Sequence, residues 1–252
     1  MEFGLQFSKA LDEPDIDATL YRRRIRCLRY LMHSRPDLAF SIGILSKYMH
    51  SPRKSHGEAL TKVLRYLRGT QGYGLMFKRG ESQKLVGFSD SSHNTDPDDG
   101  RSTTGHLFCL GDTPVSWCSQ KQDVVALSSC EAEYMAATEA AKQAIWLQEL
   151  VSEITGRKIE KTLVRVDNKS AIILAKNPVL HRRSKHIHKR FHFIRECVER
   201  ELIDVEHVPG TKQKADILTK ALANIKFKEM RDLIQVQDLS KGALKLTREN
   251  VG

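Results

Sequence analysis

The chain has 252 residues, 40% of them apolar, and carries 41 Lys and Arg against 31 Asp and Glu for a net charge of +10. That apolar content is enough for one or two cores and excludes wholesale disorder. No stretch approaches ~18 uninterrupted apolar residues, so no membrane-spanning helix is expected, and the acidic opening MEFGLQFSKALDEPD lacks the apolar run of a secretory signal.

The charge is unevenly spread. Residues 1–80 hold 15 basic and 7 acidic side chains, residues 81–180 hold 10 and 14, and residues 181–252 hold 16 and 10. Basic flanks suit a polyanion, and an acidic middle suits a divalent cation. The five cysteines (Cys27, Cys109, Cys118, Cys130, Cys197) form no CxxC pair. A reducing compartment is therefore expected, and a cysteine-based zinc site is not.

The first 80 residues read as helical. In ATLYRRRIRCLRYLMHS, Leu20, Ile25, Leu28 and Leu31 recur near helical spacing and are expected to face inward. LAFSIGILSKYMHS is a second helix, ended by Ser51-Pro52. HGEALTKVLRYLRGT is a third, with Val63, Leu64 and Leu67 inward and Gly69 as C-cap. Near residue 70 the pattern changes. KLVGFSDSSH, STTGHLFCLGD and PVSWCSQKQDVVAL are three β-like runs, and DPDDGR is a turn between the first two.

A long helix is expected over 129–154. TLVRVDN then reads as a strand, KSAIILAKN as a helix, and RFHFIRECVERE as a helix after the basic stretch HRRSKHIHKR. IDVEHVPG is the last strand, and KADILTKAL the last helix. A three-strand meander followed by β-α alternation implies an α/β fold with a mixed sheet flanked by helices. Residues 225–252 suggest a short amphipathic helix and a polar tail. The tryptophans Trp117 and Trp146 are assigned to the core.

Four acidic residues fall at element ends. Asp90 lies in the first strand, on the face of Val86 and Phe88. Asp167 ends the TLVRVD strand, and Asp216 opens the last helix. From the long helix, Glu131, Glu133 and Glu139 compete. Helical steps from 133 meet Ala137, Ala140, Ala144, Leu147 and Val151, an apolar stripe that must face the sheet. Steps from Glu131 meet Met135, Thr138, Lys142 and Glu149, a mostly wet face, and Glu139 lies well round from the stripe. Glu133 is thus the carboxylate at the head of the buried stripe. A carboxylate on a core face is costly unless paired or metal-bound. Oxygen ligands and a phosphate substrate suit Mg²⁺, and a pair of such ions would serve phosphodiester hydrolysis.

Residues 84–224 resemble the ribonuclease H domain of copia-type LTR retrotransposon polyproteins. The blocks are FSDSSH, DPDDGRSTTGHLFCLG, VSWCSQKQ, VALSSCEAEYMAATEAAKQAIWL, VDNKSAIILAKNP, KHIHKRFHFIRE and VPGTKQKADILTK. Upstream, YRRRIRCLRYLMHSRPDLAFSIGILSKYM and VLRYLRGT resemble the end of that family's reverse transcriptase. The resemblance implies a ribonuclease H-like fold with a five-stranded mixed sheet, preceded by a small helical region. It implies three parts: a reverse-transcriptase remnant (1–80), the ribonuclease H domain (81–224) and a C-terminal helix and tail (225–252).

The activity implied is cleavage of the RNA strand of RNA–DNA hybrids with two Mg²⁺ ions, Mn²⁺ being a substitute. Asp90, Glu133, Asp167 and Asp216 would be both the catalytic residues and the metal ligands. The loop VPGTKQKAD carries Thr211 and no His, where cellular and retroviral ribonucleases H often have one. Polymerase activity is not expected, because the palm and its catalytic Asp pair are absent from this sequence. The alternative is an inactive remnant that only binds nucleic acid. Partners would be the hybrid and the rest of a Pol polyprotein, in a cytoplasmic particle or the nucleus, with no membrane.

A hybrid is gripped by its backbone and 2′-hydroxyls. Arg182, Arg183, Lys185 and Arg190 in the basic stretch, and Asn168 beside Asp167, are the expected contacts. His188 and His192 have a ligand-like i, i+4 spacing, but no second regular pair accompanies them, so zinc is not expected.

Overall fold

A computed structural model of the chain describes residues 7–77, 84–157, 161–177 and 189–240, leaving aside the side chains of 189 and 190. In chain order these form α1 (Ala18–Leu31), α2 (Ala39–Ser46), α3 (Lys54–Gly69), β1 (Tyr73–Leu75), β2 (Leu85–Ser91), β3 (Thr103–Leu110) and β4 (Thr113–Lys121). There follow α4 (Ser129–Thr155), β5 (Thr162–Val166), α5 (Lys169–Lys176), α6 (Phe193–Glu199), β6 (Ile203–His207), α7 (Asn224–Leu233) and β7 (Val236–Asp238). Two compact units result, one from residues 1–79 with 221–252, the other from 80–220. No described helix is long and apolar enough to cross a membrane.

The first unit packs α1, α2 and α3 around Tyr21, Ile25, Leu28, Ile42, Leu45, Leu60 and Val63. Asp17 caps α1, its Oδ1 accepting from the Thr19 and Leu20 N–H groups at 2.8 and 3.0 Å. Leu20 is exposed, and its neighbour Tyr21 is buried instead. Tyr21 donates its hydroxyl to the Leu45 carbonyl at 2.9 Å, which satisfies its polar end inside the core. Helix α3 runs through Gly69, and Thr70 is its C-cap. A short antiparallel pair, β1 with β7, closes this unit; neither strand was foreseen from the sequence. Three-residue strands carry too little alternation to stand out.

The second unit is a five-stranded sheet in the order β4-β3-β2-β5-β6. Strands β2, β3 and β4 are antiparallel neighbours, whereas β2 with β5 and β5 with β6 are parallel. This is the ribonuclease H-like arrangement that the resemblance implied. Helix α4 covers one face with Ala137, Ala140, Ala144 and Leu147, all buried. Ser128 caps its start, accepting from the Glu131 N–H at 3.2 Å, and Gly156 ends it in the left-handed region at φ 65°.

Three expectations need correction here. The flank of α4 that carries Glu131, Met135 and Thr138 is buried, not wet. The segment before α6 covers part of it, with Thr138 donating to the Phe191 carbonyl at 2.8 Å, and Glu131 turns back to accept from the Leu127 N–H at 2.9 Å. Periodicity shows one face of a helix against one partner, and α4 has two. Trp146 is 54% exposed, so it is not a core residue. The last helix of the unit is a 3-10 turn, Lys214–Leu218, not an α-helix.

Candidate active site

Register brings the first two acids together. Ser89 pairs with Val166 across the parallel β2–β5 ladder. The next residues, Asp90 and Asp167, therefore emerge side by side at the carboxyl ends of adjacent parallel strands. In open α/β sheets that is where ligands bind. Glu133 arrives from the first turns of α4 and accepts from the Ser91 N–H at 3.0 Å. One carboxylate oxygen from each of Asp90, Glu133 and Asp167 lies within 4.8 Å of the others.

Asp216 comes from the far side of the sheet, on the 3-10 turn. Gln213 is fully buried and holds that turn to β2, donating from Nε2 to the Ser89 carbonyl at 2.8 Å. Ser119 of β4 donates to the Leu218 carbonyl at 2.6 Å. The turn sits close because residue 105 of β3, the register partner of Asp90, is glycine. A Cβ there would lie 2.6 Å from Thr219 Cγ2 and 2.9 Å from Leu218 Cβ. Thr219 in turn donates its hydroxyl to Asp90 Oδ2 in a very short hydrogen bond. Lys220 Nζ stands 2.8 Å from Asp216 Oδ1 and 3.8 Å from Asp90 Oδ2. Asp216 Oδ1 receives no hydrogen bond of good angular geometry, but the ion pair leaves it close to a positive charge.

Burial sets the electrostatics. Asp90 is 1% exposed, and desolvation lifts its carboxyl to about 6 even though Lys220 pulls it down. Glu133 is pushed up further by burial and then by the neighbouring Asp90 and Asp167. Asp167 is also raised, first by burial. Lys220 is held protonated, its burial more than offset by Asp90 and Asp216.

Glu133 Oε2 is buried and has no hydrogen-bond partner among the described residues. A buried carboxylate oxygen left so is expensive unless something positive meets it. An all-oxygen donor set with an orphaned carboxylate oxygen fits a hard divalent cation such as Mg²⁺.

Among the expected contacts to nucleic acid, Asn168 accepts from the Ala171 N–H at 3.0 Å through Oδ1 and so caps α5. Arg182, Arg183 and Lys185 lie outside the described residues, and so does the side chain of Arg190. His192 meets the Tyr134 hydroxyl at 3.2 Å, whereas His188 is outside the described residues. Thr219, Lys220, Gln213 and Gly105 were not singled out from the sequence. The one local hint was the spacing of Lys220, four residues after Asp216 in KADILTK.

No family model matches the chain. The Retrovirus-related Pol polyprotein from transposon RE2 of Arabidopsis thaliana is 40% identical over 220 residues, 87% of this chain and 15% of that polyprotein. The Retrovirus-related Pol polyprotein from transposon TNT 1-94 of Nicotiana tabacum is 40% identical over 215 residues, 85% of this chain and 16% of that polyprotein. The chain thus spans about a sixth of the length of these relatives. Among solved structures, the N-terminal RNase H domain of Rv2228c from Mycobacterium tuberculosis aligns at TM-score 0.38 and 18% identity, over 54% of this chain and 95% of that one.

Proposed function

Because the chain belongs to the retrovirus-related Pol polyproteins of copia-type transposons, we propose that its carboxylate cluster is a ribonuclease H active site. It hydrolyses the RNA strand of RNA–DNA hybrids with Mg²⁺, for which Mn²⁺ can substitute. The reading rests on the convergence of Asp90, Glu133 and Asp167, with ligand oxygens within 4.8 Å of one another.

A divalent ion bound there supplies Lewis acidity toward a phosphate oxygen and a water acidic enough to attack near neutral pH. The protein's own residues prepare the site. Asp90 is the shared member, reached by Thr219 and Lys220 on one oxygen. Ser91 aims Glu133 from the backbone, so that its second oxygen is left to ligate. Burial keeps bulk water away, which strengthens every interaction with the developing charge. Asp216 completes the acidic set from the opposite face of the sheet.

The hybrid is held by its backbone. Asn168, with Oδ1 engaged in its helix cap, keeps its amide N–H groups for a 2′-hydroxyl or phosphate. Arg182, Arg183, Lys185 and Arg190 supply the cationic grip. The remainder of a Pol polyprotein would be the natural partner of this segment.

The test is incubation with end-labelled RNA–DNA hybrid and Mg²⁺, beside double-stranded RNA and double-stranded DNA. The RNA strand of the hybrid alone should be cut. D90N, which removes a ligand charge, should lower the rate by more than the ~10–100-fold that follows loss of a supporting residue. Salt-sensitive hybrid binding without cleavage would instead mark a binding remnant.

A further inference from the structure

The four acids do not play equal parts. Asp90, Glu133 and Asp167 face one another without any described cation among their oxygens. Asp216 stands apart from that trio and faces Lys220, whose Nζ lies 2.8 Å from Asp216 Oδ1 and 3.8 Å from Asp90 Oδ2. The ammonium therefore spans the Asp90–Asp216 pair, on the opposite side of Asp90 from Glu133 and Asp167.

The position is built, not incidental. Lys220 follows Thr219, whose hydroxyl is tied to Asp90 Oδ2. The turn that precedes it is pinned by Gln213 to β2 and by Ser119 to β4. The side chain of Asp216 is 11% exposed and that of Lys220 is 42% exposed. A tethered ammonium at this spot is always available, while an ion must be captured from solution at the expense of its hydration. Two carboxylates about 4 Å apart repel by roughly 4 kcal/mol at the effective dielectric of a partly buried site, and one positive charge between them relieves it.

We infer that Lys220 takes the place of a second divalent ion. The site then holds one ion, at Asp90, Glu133 and Asp167, with the Lys220 ammonium as the standing cation between Asp90 and Asp216. This inference rests on the proposed cation binding at the cluster, and it replaces the two-ion expectation drawn from the family resemblance. Lys220 is a positioning residue here. It neutralises Asp216 and orients Asp90 toward the single ion.

The test is a count of bound ions. Mn²⁺ is titrated by calorimetry into the full chain as wild type, K220A, K220M and K220R, with electron paramagnetic resonance of the bound Mn²⁺ to report whether ions are paired. Wild type and K220R should bind one ion per chain with an isolated-ion spectrum. K220A and K220M should bind two, with the broadened spectrum of neighbouring ions. Methionine keeps the aliphatic stem, so a folding defect in K220A does not decide the result. Two ions in the wild type, or one in all four proteins, would overturn the role of Lys220 and leave cation binding intact. No ion in any of them, together with no hybrid cleavage, would sink the active-site reading and this inference with it.

Discussion

The side-chain amide of Gln122 donates to the carbonyl of Ala132, the residue before Glu133, at 3.0 Å. The same Nε2 lies 3.1 Å from Thr104 Oγ1 and 3.3 Å from Ser91 Oγ. One buried amide thus joins β2, β3 and the start of α4 where Asp90 and Glu133 meet. Replacing it strands acceptors in a dry place. Q122A should cost about 1–3 kcal/mol of stability and weaken cation binding by about 10–100-fold. Q122E should do worse, because a carboxylate would face the Ala132 carbonyl. Thermal unfolding with and without Mn²⁺ checks both, and an unchanged cation affinity in Q122A would show that the amide does not aim Glu133.

Glu133 links the site to pH. Its carboxyl moves from an ordinary value of 4.5 up to about 9, through burial first and then Asp90 and Asp167. A carboxyl raised on folding supports the fold below its unfolded value, and that support fades as pH climbs through the folded one. The metal-free protein should therefore lose stability between about pH 5 and 9 relative to E133Q. Mg²⁺ should raise the wild-type melting temperature, more so at pH 8 than at pH 6, and should raise that of E133Q far less. Parallel melting curves for the two proteins across this range would refute the assignment.

Gly105 makes room for the turn that carries Asp216. In G105A the added methyl meets Thr219, Leu218 and, at 3.3 Å, the Ala215 carbonyl oxygen. Displacement of a packed turn costs about 1–3 kcal/mol, and hybrid cleavage should fall further than that loss of stability explains. G87A is the comparison, since its methyl would press on the Phe108 ring in the core under α4, away from the acids. Comparable losses of stability with comparable activity per folded molecule would remove the special role of Gly105.

His106 on β3 is 8% exposed, and its Nδ1 has no hydrogen-bond partner among the described residues. Burial lowers its pKa from 6.5 to about 4, so the ring is neutral in the fold. Glu139 and Lys142, which line the same cavity of about 220 Å³, are paired with each other at 2.8 Å. Stability contributed by the neutral ring is complete above about pH 6.5 and is lost as pH falls toward 4. Between pH 7 and pH 5 the wild type should lose about 2 kcal/mol more than H106Q. Equal acid sensitivity in chemical denaturation would contradict it.

The helical stripe from Glu133 through Ala137, Ala140, Ala144 and Leu147 was legible because a helix that covers a sheet must repeat its apolar contacts every three or four residues. The same rule misjudged Glu131, Met135 and Thr138, where a second partner lies 53 residues further along the chain at Phe191. It misjudged Trp146 as well, since apolar type alone does not place a residue inside.

Element order, the acidic middle of the chain and the four carboxylates at element ends were determined by the sequence, because periodicity and turn chemistry are local properties. Which of those carboxylates share a site is not local. The parallel register of Ser89 with Val166 sets Asp90 beside Asp167, and the docking of α4 brings in Glu133. Only the tertiary structure decided that Asp216 faces Lys220 and that Thr219 reaches Asp90 across 129 residues of chain. Those contacts depend on a glycine opposite Asp90 and on two pinned hydrogen bonds, none of which leaves a periodic trace. Burial, which raises the acids and holds the lysine charged, is likewise a property of the assembled sheet and helix.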